Sequence, residues 1–337
     1  MTVPVLTFFN NKGGVGKTSL VYHLAWMFAE QGLRVMAVDL DPQANLTAAF
    51  LDEDQLAGLW ADGAGVSTIF RSVKPLLDVG DFEPVEYQQP NPWLALIPGD
   101  LGLSGFEDEL SATWTSALNE KNKARPFRML TAFWRTAQDS AARFDADLIV
   151  FDVGPNLGAI NRAALLGSNH VVVPLGADLF SLQGLRNLGP TVRDWRVGWT
   201  RRRDDWKTPE FDLPTGEMNP VGYIAMRHGV RLTRPVKAYT RWLDQIPAEF
   251  RKSVLDKATT KIPSIEKDPF CLAMLKNYNS LMPLAQEARK PIFSLRAADG
   301  AIGSHAHAVT KAHGDFKSLS QDITSRIGLV MPEDLLG

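Results

Sequence analysis

One stretch constrains this chain more than any other. The apolar run Val3 to Phe9 leads straight into Asn10-Asn11-Lys12-Gly13-Gly14-Val15-Gly16-Lys17-Thr18-Ser19, and Ser19 to Gln31, closed by Gly32, reads as a helix. Small residues between a strand and a helix let successive backbone N–H groups curl around an anion, and the helix N-terminus adds its positive end. Lys12 through Ser19 therefore form the candidate phosphate cradle. Lys17 is placed to reach the terminal phosphates of a nucleotide, and the Thr18 hydroxyl to bind Mg²⁺. The usual loop begins with a glycine where this chain has Asn11, but Gly13 and Gly14 still free the backbone.

Apolar runs bounded by turn residues recur at Val35 to Val38, Leu94 to Ile97, Asp147 to Phe151, His170 to Pro174, Val221 to Met226 and Pro291 to Leu295. They are nearly continuous rather than alternating, which predicts strands buried on both faces. Helical stretches such as Phe127 to Phe144 lie between them, so the expected fold is α/β, a doubly wound, mostly parallel sheet flanked by helices. The 337 residues, 45% hydrophobic, suit one large domain over residues 1–337, with 200–280 as an inserted, extra helical region in the C-terminal half. Within that region, Thr200 to Pro220 reads as a surface insertion and Tyr239 to Ser280 as extra helix broken by prolines. The single cysteine, Cys271, excludes an intramolecular disulfide and a multi-cysteine metal site. Without a signal-like N-terminus or a run of about 18 apolar residues, a cytoplasmic protein is expected.

Two acidic segments accompany the loop. The second strand runs into Asp39-Leu40-Asp41-Pro42-Gln43-Ala44-Asn45, and Asp147 to Phe151 ends in Asp152-Val153-Gly154-Pro155. Strand ends of a parallel sheet face the ligand crevice, so these carboxylates point toward phosphate and metal. Asp152 can hold Mg²⁺ through a water. His305, His307 and His313 carry neither helical spacing nor nearby cysteines, and a structural or surface role is expected for them.

The segment Lys12 to Thr18 resembles the Lys-Gly-Gly-x-Gly-Lys-Thr signature of the ParA and MinD family of deviant Walker A ATPases, and it is closest to ParA partition proteins without an N-terminal helix-turn-helix domain. Asp39 to Asn45 is similar to the family's first switch, with Ala44 in place of glycine, and Asp152 to Pro155 to its second, with Gly154 in place of proline. Asn161 to Leu165, Val171 to Pro174, Phe180 to Leu185 and Leu284 to Ile292 follow the family in order and spacing. The resemblance implies a homodimer closed by ATP and Mg²⁺, with Lys12 crossing to the partner's nucleotide as an arginine finger does. It also implies that Lys17 takes part in hydrolysis, that Asp41 positions the attacking water, that Asp39 supports loop and metal shell, and that Met226 borders the adenine.

A ParB-like or other activating protein, and DNA bound without sequence preference, are the implied partners. Nucleoid association would follow. The net charge of -2 requires a local basic patch for DNA, and Arg227, Arg231, Arg234, Lys237 and Arg241 are the candidates. The acidic, proline-interrupted C-terminus argues against membrane binding. Two other readings are a related switch acting on a protein complex and an ATP-dependent ligase of similar fold, the latter opposed by Lys12 and the Asp-Pro-Gln segment.

Overall fold

A computed structural model of the chain describes residues 2–119, 122–227, 241–257, 260–276, 278 and 280–331. Eight strands form one sheet: β1 (Val5–Phe8), β2 (Val35–Asp39), β3 (Gln88–Asn91), β4 (Leu94–Ile97), β5 (Leu148–Asp152), β6 (His170–Gly176), β7 (Asn219–Arg227) and β8 (Cys271–Lys276). Their order is β3-β4-β2-β5-β1-β6-β7-β8, parallel except for the antiparallel edge pair β3 and β4. Along the central strands side chains alternate between two cores. Val5, Met36, Val38, Ile97, Ile149 and Phe151 enter one, while Leu6, Phe8, Ala37, Leu96, Leu148 and Val150 enter the other. Both faces are apolar because both are covered, which is why the runs are continuous.

Helices α1 (Lys17–Glu30), α2 (Asn45–Phe50) and α3 (Glu53–Trp60) contribute to the second core. The first is covered by α4 (Ile69–Val73), α5 (Glu107–Ser116), α6 (Ala124–Leu130), α7 (Ala132–Phe144), α8 (Ala159–Leu166), α9 (Leu179–Asp205) and α10 (Ile246–Glu249). Near the C-terminus, α11 (Met282–Ala288) and α12 (Ser304–Ile327) return to the face of α1, where Phe316, Leu319 and Ile323 join Phe28 in one cluster.

Four expectations need correction. Pro291 to Leu295 is not a strand; Ile292–Ser294 makes a 3-10 turn whose Ile292 and Phe293 fill the core under α12. Phe127 to Phe144 is not one helix but α6 and α7, parted at Thr131. Thr200 to Pro220 is not all surface loop: its first six residues finish α9, and the rest folds back, with Trp199 Nε1 donating to Pro214 O at 3.0 Å and Trp206 against Phe127. The described part of Tyr239 to Ser280 is only partly helical, since Cys271–Lys276 is the edge strand β8.

That C-terminal half is anchored by buried polar groups. Arg251, in a π-turn that continues α10, makes a bidentate contact with Asp268 at 2.6 and 2.8 Å, and Tyr223 on β7 donates to the same carboxylate at 2.7 Å. Burial of Asp268 favours its neutral form, but the guanidinium and the phenol outweigh it and hold the carboxyl below its ordinary range. The π-turn lies on α9 at Gly189, where an added Cβ would come within 1.8 Å of Ser253 O. Only glycine permits that approach.

Candidate phosphate and metal site

The loop after β1 lies at the centre of the sheet, between the ends of β5 and β6. Gly16 has φ of 82°, a left-handed conformation that aims the following N–H groups into the loop and starts α1 without a side-chain cap. Uncapped N–H groups at a helix start are what an anion site requires. Lys17 is buried, its Nζ donating to Lys12 O at 3.3 Å across the loop. Burial lowers the Lys17 pKa, and the carboxylates of Asp152 and Asp41 oppose that shift.

Asp39 and Asp152 are register partners on adjacent strands, and both are fully buried. Their surroundings differ. Asp39 Oδ2 accepts from Thr47 N at 2.8 Å and Thr47 Oγ1 at 2.7 Å, while Oδ1 accepts from Asp41 N at 3.2 Å. Asp39 thus ties the end of β2 to the first turn of α2. Neither oxygen of Asp152 has a hydrogen-bond partner among the described residues. Burial, then the neighbouring Asp39, push the Asp152 carboxyl well above its ordinary range; the Thr18 hydroxyl, close by but outside hydrogen-bond geometry, works the other way. Burial likewise raises Asp39 to about 6, against the Thr47 hydrogen bonds.

Two adjacent buried carboxyls, one without partners, call for a cation. Among the described residues no three His, Cys, Asp or Glu side chains group as a metal cage. Mg²⁺ suits this arrangement, because it binds through few protein ligands and takes its other oxygens from water and phosphate. Thr18 and Asp152 would hold it, with Asp39 supporting through Thr47. When bound, the ion would supply positive charge to offset that of the phosphates.

Replacing Asp152 by asparagine tests this directly. A raised acid binds its proton more tightly folded than unfolded, so stability falls as pH rises above the ordinary carboxylate range. Without nucleotide, Asp152→Asn should raise Tm at pH 8 by a degree or more, about what 1 kcal/mol gives a chain this large. The gain should shrink as the pH falls toward 5, and the further stabilisation by Mg²⁺ and ATP should be lost. A lower Tm at pH 8, measured by calorimetry, would refute the uncompensated carboxylate.

The loop mouth is framed by two further segments. Asp41 is buried, with Oδ1 accepting from Gln43 N at 3.0 Å, and it faces Gly154, where a Cβ would stand 3.5 Å from that oxygen. Asn161 on α8 donates to Gly154 O at 2.9 Å and Asn156 O at 2.8 Å. Glu107 accepts from the first N–H groups of α8, Ala159 at 2.5 Å and Ile160 at 2.8 Å, which joins the 153–158 segment to α5. Met226 stands beside the loop, its Cε 3.4 Å from where a Gly16 Cβ would be. A cleft of about 330 Å³ opens past Thr18 and Ser19, walled by Tyr22, Met282 and Gln286.

The structure thus brings together Lys17, Thr18, Asp39, Asp41, Asp152 and Met226. Lys12 lies at the rim, partly exposed, its ammonium ion-paired with Asp178 Oδ2. Sequence reasoning did not single out Asp178, although an acidic residue three before Ser181 is a helix-start signal, and its Oδ1 does accept from Ser181 N at 2.9 Å. Of the basic candidates, Arg231, Arg234 and Lys237 lie outside the described residues; Arg227 ends β7, and Arg241 is exposed. His313 meets Glu30 at 2.6 Å.

A family model described as an AAA domain matches residues 3–198, more than half of the chain. Protein IncC of Escherichia coli is 27% identical over 265 residues, covering 78% of this chain and 63% of its own length. Chromosome partitioning protein ParA of Myxococcus xanthus is 29% identical over 192 residues, 56% of this chain and 57% of its own. The chain therefore spans less than two thirds of either relative. Among solved structures, a Corynebacterium diphtheriae protein superposes with a TM-score of 0.71 at 25% identity, covering 96% of this chain and 99% of that one. A substituted form of Cyanothece McdA in complex with ATP gives 0.62 at 15% identity, covering 99% of both chains, a likeness of fold.

Proposed function

The chain belongs to the ParA/MinD family of P-loop ATPases, and from that premise we propose that it is a dimerising switch that binds ATP with Mg²⁺, closes on a second copy, and reopens on hydrolysis. One observation carries this reading: the two lysines of a single loop differ in burial and in partner. Lys17 is enclosed with Asp41 and Asp152, where it can bind phosphates of its own nucleotide. Lys12 stands at the rim, partly exposed, with its ammonium on Asp178 at the start of α9. A cation so placed serves a nucleotide on another subunit better than its own. Arriving there, it stabilises charge developing on the transferring phosphoryl group.

In this scheme Thr18 and Asp152 hold the Mg²⁺, Asp41 orients the attacking water, and the 153–158 segment senses the third phosphate. The closed dimer binds DNA without sequence preference through the basic residues from Arg227 to Arg241, and an activating protein triggers hydrolysis. No helix among the described residues is long and apolar enough to cross a membrane. A cytoplasmic, nucleoid-bound protein is the corresponding cellular picture.

Analytical ultracentrifugation of wild type and Lys12→Ala with ATP, with ADP and without nucleotide tests the scheme. Lys12→Ala should bind ATP as tightly as wild type yet hydrolyse it at least about a hundred-fold more slowly, the effect of losing a cation supplied in trans. Unchanged turnover would remove the cross-subunit role. DNA retention should require ATP, and retention indifferent to nucleotide would count against gating.

A further inference from the structure

The rim lysine is already engaged within its own chain. Lys12 Nζ is ion-paired with Asp178, the two side chains being 27% and 22% exposed. We propose that Asp178 is a positioning residue that holds Lys12 on its own subunit and thereby opposes closure of the dimer. This rests on the cross-subunit reading of Lys12 given above.

The geometry makes the hold specific. Asp178 caps α9: its Oδ1 accepts from Ser181 N at 2.9 Å, leaving Oδ2 to the lysine. Ser181 Oγ accepts from Gly176 N at 3.0 Å, which fixes the turn between β6 and α9. The base of the phosphate loop is fastened to the same place. Asn10 Nδ2 donates to Pro174 O at 2.6 Å, and Asn10 Oδ1 accepts from Lys12 N at 3.0 Å. On α9, Gly184 leaves the space that Asn11 needs, since a Cβ there would lie 2.9 Å from Asn11 Oδ1. The loop start and the helix start are thus tied to each other.

Next to the pair, Leu179 and Phe180 are 50% and 71% exposed, and the Phe180 ring centroid is 6.0 Å from the Lys12 ammonium. A phosphate of the facing subunit would compete with Asp178 for the one ammonium, and reaching across would draw it off the carboxylate. Each closing dimer must therefore break two such pairs, and its strength is the difference between what the lysines gain and what they leave.

Asp178→Asn separates the hold from the helix cap, because asparagine caps as well as aspartate while carrying no charge. A partly exposed pair is worth on the order of three-fold per subunit, so the variant should dimerise with ATP at about ten-fold lower protein concentration than wild type. ATP affinity of the single subunit should be unchanged, and the gap should narrow at about 0.5 M salt, where such pairs are screened. In the Lys12→Ala background, Asp178→Asn should add nothing. Wild type dimerising with a variant no tighter would overturn the hold alone. Neither protein dimerising at saturating ATP and Mg²⁺ would overturn it together with the cross-subunit reading.

Discussion

Lys17→Ala is expected to weaken binding of ATP by at least about a hundred-fold and to abolish turnover. The magnitude follows from two charge-assisted contacts to phosphate oxygens, each worth about 1.5–3 kcal/mol. Position supports it, since Lys17 is buried at the first turn of α1 with its ammonium reaching back across the loop to Lys12 O. In that place the amine must leave one acceptor for another, not travel. Without nucleotide the variant's stability should change little, because the burial of the Lys17 charge and its attraction to Asp152 and Asp41 oppose one another. Titration with a fluorescent ATP analogue, alongside thermal unfolding, reads both effects. Wild-type affinity in a folded variant would show that the anion site lies elsewhere.

Asp41→Ala should give the opposite profile: ATP affinity within about three-fold of wild type, and hydrolysis slower by about 10² to 10⁴, the range for a residue that orients or deprotonates a nucleophile. Its backbone is held independently of its carboxylate, with the N–H on Asp39 Oδ1 and a tight turn closed by Ala44 N donating to Asp41 O at 2.8 Å. The fold around it should survive the substitution. Because ATP would persist, the dimer should persist too, and sedimentation should show it long after the wild type has reopened. Phosphate release at the wild-type rate would strip Asp41 of its role.

The site was legible because each of its parts is a short-range pattern. A strand, a glycine loop and a helix start are adjacent in sequence, and each switch carboxylate lies at the end of an apolar run. What escaped detection depends on tertiary neighbours. β3 is polar and half-buried because it forms the sheet edge, so Gln88-Gln89-Pro90-Asn91 carries no hydrophobic signal. β8 is covered unevenly, and its proline-flanked sequence resembles a broken helix until β7 pairs with it. Conversely, Ile292 and Phe293 read as strand because they are buried, yet their burial comes from α12 and not from a ladder. Asp178 was invisible as a partner for Lys12 because 166 residues separate them. The difference between the buried carboxyls Asp39 and Asp152 was equally hidden, because it depends on which one Thr47 satisfies.

Helix α9 has 27 residues, beginning one residue after Asp178 and ending at Asp205. At 1.5 Å per residue that is a rod of about 40 Å. Its far end is packed under Trp114, against which the Arg202 guanidinium stacks at 3.6 Å. Although Pro190 removes one hydrogen bond within it, a helix of this length moving as one body acts as a lever arm: tilting its first turn by about 5° would carry the last turn through about 3 Å. A displacement at its first turn, where Asp178 caps the helix, would thus be felt at a surface remote from the phosphate loop.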